Sequence, residues 1–511
     1  MDGYDIVVVG AGACGSVLAA RLSEDPDRSV LLLEAGEAPR SRADYPTNLL
    51  DAAVVPGANP APGQHWAYSA HLTDDQVATI FRGRVLGGCS ATNGGYFVRA
   101  RREDFADWAA AGNPAWTYER VLPFLRAMEH DLDYGDTGVH GGSGPVPVQR
   151  PPLTGPTAEM FGAAANELGF VAEPDKNTQG TPGFGPVPRN VTDGVRWNAA
   201  LAYVLPALHR PNLTVRGGVT VDRVRFRGSR AVGVDVVRDG QVSTVDADVV
   251  VLAAGGLETP HLLCRSGIGP ADDLRQFGFA VLADLPVGRR FSDHPQVVLE
   301  WAPKEYRGRG DASWISACLN FRSPDGPACG DLQILPSNVP MAVLTGRPAA
   351  ARPALPVLIS AMNPEPTGRL RLVSADPDVP MNLDYGYLTT AAGRAALRAG
   401  VRTALDLVSA AAFADVTGAP PDLDHRTAAD DAALDGWIRG RLGTSLHTCG
   451  TAPMGSADDP ATVVDQFGRV HGFEGLRVAD TSILPAVPRR GPANTAVLIG
   501  EMIAGEMGRA R

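Results

Sequence analysis

The segment SLHTCGTAPMG, Ser445 to Gly455, places His447 two residues before Cys449, and three chemistries could start from that pair. A metal centre needs three or four His, Cys or carboxylate ligands converging, and no second pair stands at ligand spacing nearby, so no metal is expected. A thiol nucleophile needs a cationic environment to hold it as thiolate, and Cys449 has none locally beyond His447. Its plainer role is packing in the core. A neutral imidazole titrates near working pH, so proton transfer at His447 is the third possibility.

A second signal lies where glycines let a backbone approach a phosphate. Gly10, Gly12 and Gly15 form GxGxxG after the apolar run DIVVVG and before the helix-patterned SVLAARLSED, with Glu34 ending a second apolar run, SVLLLEAG. The first glycine makes the turn, the second admits a pyrophosphate, and the third lets helix and strand pack closely. Glu34 would accept hydrogen bonds from a ribose. A tight turn alone could use such glycines, but strand, helix and acid all stand in the places a dinucleotide requires. A second glycine-rich loop holds Gly87, Gly88, Ser90 and Asn93, whose backbone N–H groups could wrap the same ligand.

The rest of the chain must carry these groups. At 511 residues it exceeds one ordinary core, and its 44% hydrophobic and 20% charged residues are those of a globular protein with many turns, given 58 Gly and 42 Pro. A net charge of −11 with no basic tract disfavours a nucleic-acid surface, and no nucleic-acid partner is expected. No apolar run approaches the roughly 20 residues of a membrane-spanning helix, and MDGYDIVVVG lacks the plan of a signal peptide. The six cysteines are scattered without a CxxC pair, which fits a reducing cytoplasm. A cytoplasmic location follows, with any membrane contact peripheral.

After a short helix near 157–169, NLTVRGGVTVDRVRF, RAVGVDVV and DADVVVLAAGG alternate as antiparallel strands, the last turning fully apolar. Residues 296–440 are less regular, with a strand-like GRLRLVSADP and a helix over 390–412. From Ser445 the glycine-rich apolar style returns, with LRVADTSILP as strand and turn and TAVLIGEMIAGEM as a final helix. The two ends therefore read as one domain with another inserted.

GRVLGGCSATNGGYFVRARREDFADW, AAGGLETPHLLCRSGIGP, VGRRFSDHP, HTCGTAPMG and LRVADTSILP resemble, in order, the landmarks of the glucose-methanol-choline (GMC) oxidoreductases, over nearly the whole chain. The resemblance implies an α/β chain, α+β overall. A Rossmann-like FAD-binding domain (1–150, 190–295 and 445–511) interleaves with a substrate-binding domain on an antiparallel sheet with helices (151–189 and 296–444). It implies FAD contacts at Gly10, Gly12, Gly15, Glu34, Gly87, Gly88, Ser90 and Asn93, adenine contact with the backbone of Val221, and hydrogen bonding between Asp480 and the FAD phosphate and ribityl region.

Thr92 stands where some members join a histidine covalently to flavin; threonine cannot form that bond, so FAD is expected to be noncovalent. Cys89, Thr92 and Gly256 depart from the commoner residues. Asp293 and His294 match a DH pair near the domain junction, read as structural. His447 matches the catalytic histidine, with Gly450, Thr451, Met454 and Gly455 supporting it. Asn494 is the nearest match to a second polar group facing the alcohol, and an N-cap of the final helix explains it equally well. That helix's N-terminus would stabilise negative charge on reduced flavin.

The implied activity is oxidation of CH–OH donors with electrons passed to an acceptor. Within the family, NGGYFVRARREDFADW, HDLDYGD with HGGSGPVPV, GRRFSDHP and RRGPANTAVLIGE are similar to mycofactocin-associated dehydrogenases. These imply mycofactocinol as donor and a quinone or respiratory chain as acceptor. The alternatives are a small-alcohol, choline-like or sugar oxidase using oxygen, and an FAD-containing hydroxynitrile lyase.

Overall fold

A computed structural model describes residues 3–306, 308, 313–350 and 352–509. The opening segment folds as a βαβ unit: strand Gly3–Val9, helix Ala13–Leu22 and strand Val30–Leu33. The two strands are parallel, and Val7, Val8, Leu31 and Leu32 are wholly buried, as strands covered on both faces must be. Gln241–Leu252 lies parallel to Gly3–Val9 on the other side, and Leu476–Val478 adds to its end.

The expectation of antiparallel strands holds for Thr220–Arg227, Arg230–Arg238 and Gln241–Leu252. It fails for Leu213–Arg216, which runs parallel to Val30–Leu33 at the sheet edge. Helical turns over Ala200–Val204 and Leu205–Ala207 precede this strand. The chain thus re-enters the sheet in the same direction, and a four-residue alternation does not encode direction. Gln241–Leu252 is long enough to serve both patterns: residues 241–246 close the antiparallel meander and 246–252 join the parallel strands.

The final helix, Ala493–Arg509, packs on helix Ala13–Leu22 so closely that a Cβ on Gly500 would lie 2.7 Å from Val17 Cβ. The Arg21 guanidinium meets Glu501 at 2.9 Å, and Tyr203 donates to the same carboxylate at 2.7 Å. The two chain ends are joined here.

A second sheet of seven strands takes the order Thr417–Ala419, Pro295–Pro303, Leu355–Ala361, Leu332–Pro336, Ala317–Phe321 and Phe184–Pro186, with Leu442–Thr444 also on Pro295–Pro303. Every pairing in it is antiparallel. Helix Ala391–Ser409 covers one face, burying Leu397, Val401, Ala404, Leu405 and Val408, and a Cβ on its Gly400 would meet Ile359 and Leu332. Strand alternation then sends Asn320, Gln333, Ser360 and Gln296, paired in register across four strands, to the opposite face. A smaller sheet contains the hairpin His65–Thr73 and Gln76–Gly83.

Among the described residues, one group has the spacing of metal ligands: Glu129, Asp131 and His140. Protein cations already balance it. Arg99 pairs with Glu129, Arg150 meets Asp131 at 2.9 Å and Asp175 at 2.9 Å, and His140 reaches Asp175 at 2.7 Å and Asp131 at 3.0 Å. Burial would lower the His140 pKa, but hydrogen bonds to Asp131, Asp175 and Glu129 outweigh it and lift it to about 10.

A histidine whose folded pKa is raised stabilises fully below its unfolded pKa and loses that contribution as pH climbs through the folded value. The stability difference between wild type and His140→Asn, measured by urea unfolding, is expected to shrink from about pH 6.5 towards pH 10. A constant difference over that range would contradict the charged network.

Candidate active site

The three fingerprint glycines differ in what surrounds them. A Cβ on Gly10, at φ +94°, would lie 2.6 Å from the Ala253 carbonyl oxygen, and one on Gly15 would lie 1.9 Å from the Gly10 carbonyl oxygen. Both positions are closed to side chains. A Cβ on Gly12 would have nothing within 4 Å. That open face beside a helix N-terminus is where a pyrophosphate fits. Gly88, at φ +51°, brings the second loop onto the first: its Cβ would lie 2.7 Å from Gly12 Cα.

Glu34 is buried and accepts from Ala11 N at 3.1 Å and Gly36 N at 2.9 Å, with burial raising its pKa against those bonds. Ser90 ties the loop together, bonding the Gly87 carbonyl and accepting from Ala199 N. Asn93 Oδ1 accepts from Gly95 N. Val221 is buried on the meander strand Thr220–Arg227, just before a register shift. Asp480 takes donors from Gly255 N, Thr259, Ser482 N and the Ser482 hydroxyl, which fastens the turn at 254–256 to the segment after Val478. Among the described residues, the buried amides that keep polar atoms without a protein partner include Asn198, whose Nδ2 is unpaired and whose Oδ1 lies beside Gly87, and Asn494, with both atoms unpaired. Open glycine, backbone amides and orphaned amides fit a dinucleotide cofactor.

The His447 segment sits against this cradle. Thr451 Oγ1 donates to the Gly256 carbonyl at 2.9 Å, and Thr481 Oγ1 donates to the Thr448 carbonyl at 3.0 Å. Ser292 and Cys449 pair as an antiparallel bridge, so FSDHP runs alongside SLHTC. Asp293 seats the histidine: its carboxylate accepts from His447 N at 2.8 Å, His294 N at 2.7 Å and Thr448 Oγ1 at 2.9 Å. Arg82 donates to Thr448 Oγ1 at 2.8 Å behind them. Leu446, just before the histidine, holds φ +64°, a left-handed conformation that costs a non-glycine residue about 1 kcal/mol or more.

The His447 imidazole stands edge-on to His294, with Nδ1 to Nδ1 at 2.8 Å. One of the two must carry the shared proton. Burial lowers the His294 pKa to about 3, which keeps that ring neutral. Burial, then the charges of His294 and Arg82, push His447 well below its ordinary value. If His447 donates through Nδ1, its Nε2 is left as the free base. Cys449 is wholly buried and its pKa is driven up by burial, so it is a packing thiol.

Asp293→Leu should slow flavin reduction by about tenfold or more, because a misplaced base loses near-attack geometry, whereas Asp293→Asn should stay close to wild type. Anaerobic reduction rates check this; equal rates for the leucine variant would remove Asp293 from the positioning role.

His294 was legible only as a structural residue; nothing in a sequence separation of 153 signals its contact with His447. Gly491 was missed as well: a Cβ there would lie 3.1 Å from Tyr96 Cδ1 and 3.4 Å from His447 Cε1, so it separates those two rings. Asn494 lies on the first turn of the final helix, wholly buried, and its side chain caps no backbone group. The row Asn320, Gln333, Ser360 and Gln296 ends at Ser445, which Gln296 approaches at 3.3 Å. Tyr96 donates to Gln333 at 2.9 Å. The second sheet thus offers neutral hydrogen-bonding groups near the His447 segment.

A neutral imidazole seated against a dinucleotide cradle under a polar sheet defines an FAD-dependent oxidoreductase acting on alcohols. Comparison with known proteins gives the family. Residues 4–296 and 364–500 match GMC oxidoreductase, and the chain belongs to the GMC oxidoreductases. It is 41% identical over 508 residues to an uncharacterized GMC-type oxidoreductase in the thcA 5' region of Rhodococcus erythropolis, covering 98% of this chain and 97% of that one. It is 33% identical over 530 residues to an oxygen-dependent choline dehydrogenase of Rhizobium johnstonii, covering 98% and 94%.

The fold matches crystalline pyridoxine 4-oxidase from Mesorbium loti with a TM-score of 0.90 at 29% identity, over 99% of this chain and 100% of that one. It matches formate oxidase, at 24% identity, with a TM-score of 0.90 over 99% and 98%. No helix of the described residues is long and apolar enough to cross a membrane.

Proposed function

We propose that His447 is the general base of CH–OH oxidation, taking the hydroxyl proton as hydride leaves the carbinol carbon. FAD, when bound, supplies the hydride acceptor at its N5. The supporting observation is the His447–His294 contact: a neutral imidazole engaged through Nδ1, with Asp293 fixing its backbone. Gly10, Gly12, Gly15, Gly87, Gly88 and the Glu34 turn would hold the dinucleotide, with Ser90, Asn93, Val221 and Asp480 shaping its walls. Asn494 would present its free amide to the flavin or the alcohol. Thr92 has no nucleophilic ring nitrogen, so the FAD is noncovalent and should be released by acid precipitation.

The donor proposed from the sequence resemblance is mycofactocinol, with electrons passing to a quinone of the respiratory chain in a cytoplasmic enzyme. The domains are proposed as 1–150, 190–295 and 445–511 for FAD and 151–189 and 296–444 for substrate. The test is anaerobic mixing of the purified flavoprotein with a panel of mycofactocinol, choline, pyridoxine and simple alcohols, followed by oxygen or a quinone. Flavin bleaching identifies the donor, and the reoxidant identifies the acceptor. Carbonyl release without any bleaching would favour a lyase and overturn the oxidation.

A further inference from the structure

Three arginine side chains are among the largest that are wholly buried: Arg99, Arg196 and Arg490. Two are well compensated. Arg99 pairs with Glu129 and donates to the Val139 carbonyl. Arg196 donates to the carbonyls of Leu49, Asp51, Val54 and Ala91. Among the described residues, Arg490 makes one bond, from Nη1 to its neighbour's carbonyl on Arg489 at 2.8 Å, while Nε and Nη2 have no partner. A buried cation left in this way is costly unless a ligand completes it.

The position of this charge is informative. Arg490 immediately precedes Gly491, the residue between the Tyr96 and His447 rings, and it acts electrostatically on His294, Tyr96 and Cys318. The acid that also acts on Tyr96 and Cys318, Glu173, is taken by Lys176 at 2.7 Å. The sheet groups linked to Tyr96, Gln333 directly and Asn320 through it, are neutral. The unpaired edge also has a shape. Nε and Nη2 form the side of a guanidinium whose two parallel N–H bonds match the two oxygens of a carboxylate.

Building on the proposed alcohol oxidation, we propose that Arg490 binds a carboxylate of the substrate, so that the enzyme's preferred donors are hydroxy acids. A cationic alcohol such as choline would meet a like charge. The chemistry balances without a new reactant: the carbinol C–H breaks with its electron pair passing to FAD, the O–H proton passes to His447, and the product is the oxo acid.

The test is calorimetric titration of the FAD-loaded protein with acetate, acetamide and choline, in wild type, Arg490→Lys and Arg490→Gln. Acetate should bind wild type about ten- to hundredfold more tightly than acetamide, as hydrogen bonds to a charged group imply. Choline should bind no better than acetamide. The glutamine variant should lose the preference for acetate and the lysine variant should keep part of it. Equal binding of acetate and acetamide by wild type, or undiminished acetate affinity in Arg490→Gln, would overturn the proposal. Should the glutamine variant not fold, the wild-type comparison and the lysine variant still decide. Binding is read without turnover, so it is separable from the oxidation: acetate selectivity without flavin bleaching by any alcohol would sink only the oxidation. Bleaching by neutral alcohols without acetate selectivity would sink only the carboxylate site.

Discussion

His447→Ala is expected to keep FAD bound, to unfold at nearly the wild-type temperature, and to reduce its flavin about 10²- to 10⁴-fold more slowly under anaerobic substrate, the range a positioned base contributes. The reason is local. The histidine's backbone N–H, held by Asp293, survives the substitution, as do the Ser292–Cys449 bridge and the Thr451–Gly256 bond that dock the segment on the cradle. What disappears is the imidazole and its 2.8 Å contact with His294. Absorbance spectra, melting curves and rapid-mixing reduction rates measure the three outcomes separately. Loss of FAD or of folding in this variant would mean that the ring supports the structure.

The second large effect concerns the cofactor and separates two glycines, Gly12 and Gly15, that belong to the same GxGxxG motif. Gly15→Ala should prevent stable folding of the cradle, because its Cβ would be driven to 1.9 Å from the Gly10 carbonyl oxygen, and Gly10 cannot move away without meeting Ala253. Gly12→Ala should fold normally, since its Cβ meets nothing within 4 Å, yet bind FAD at least about tenfold more weakly by filling the face that receives the pyrophosphate. Circular dichroism melting and FAD content after gel filtration distinguish the two. An FAD-replete Gly12→Ala protein would remove the pyrophosphate from that face.

Much of this was legible in the chain itself. The βαβ unit follows from apolar runs bracketing a glycine turn, and the structure places its strands at Gly3–Val9 and Val30–Leu33. His447 stood out because HTCGTAPMG resembles the family's catalytic motif, while the metal reading lacked a second ligand pair. What the residues could not give were relations across distance. Leu213–Arg216 alternates like its antiparallel successors, and only the preceding turns make it parallel. The role of His294 depends on two loops meeting across the bridge at Ser292 and Cys449. Arg490 is one arginine of a surface-like RR pair in sequence, and only burial without a partner marks it. The polar row from Asn320 to Gln296 is likewise invisible until four strands align.

The central claim is that a neutral His447 removes the hydroxyl proton during hydride transfer, and one measurement tests it most directly. It is the anaerobic rate of flavin reduction by a single alcohol, in wild type and His447→Ala, from about pH 5.5 to 9. Because His447 and His294 are both held neutral by burial, the wild-type rate should stay level through the ordinary histidine range. The alanine variant should be slow throughout and quicken only as hydroxide replaces the missing base. Superimposable profiles for the two proteins would contradict the assignment.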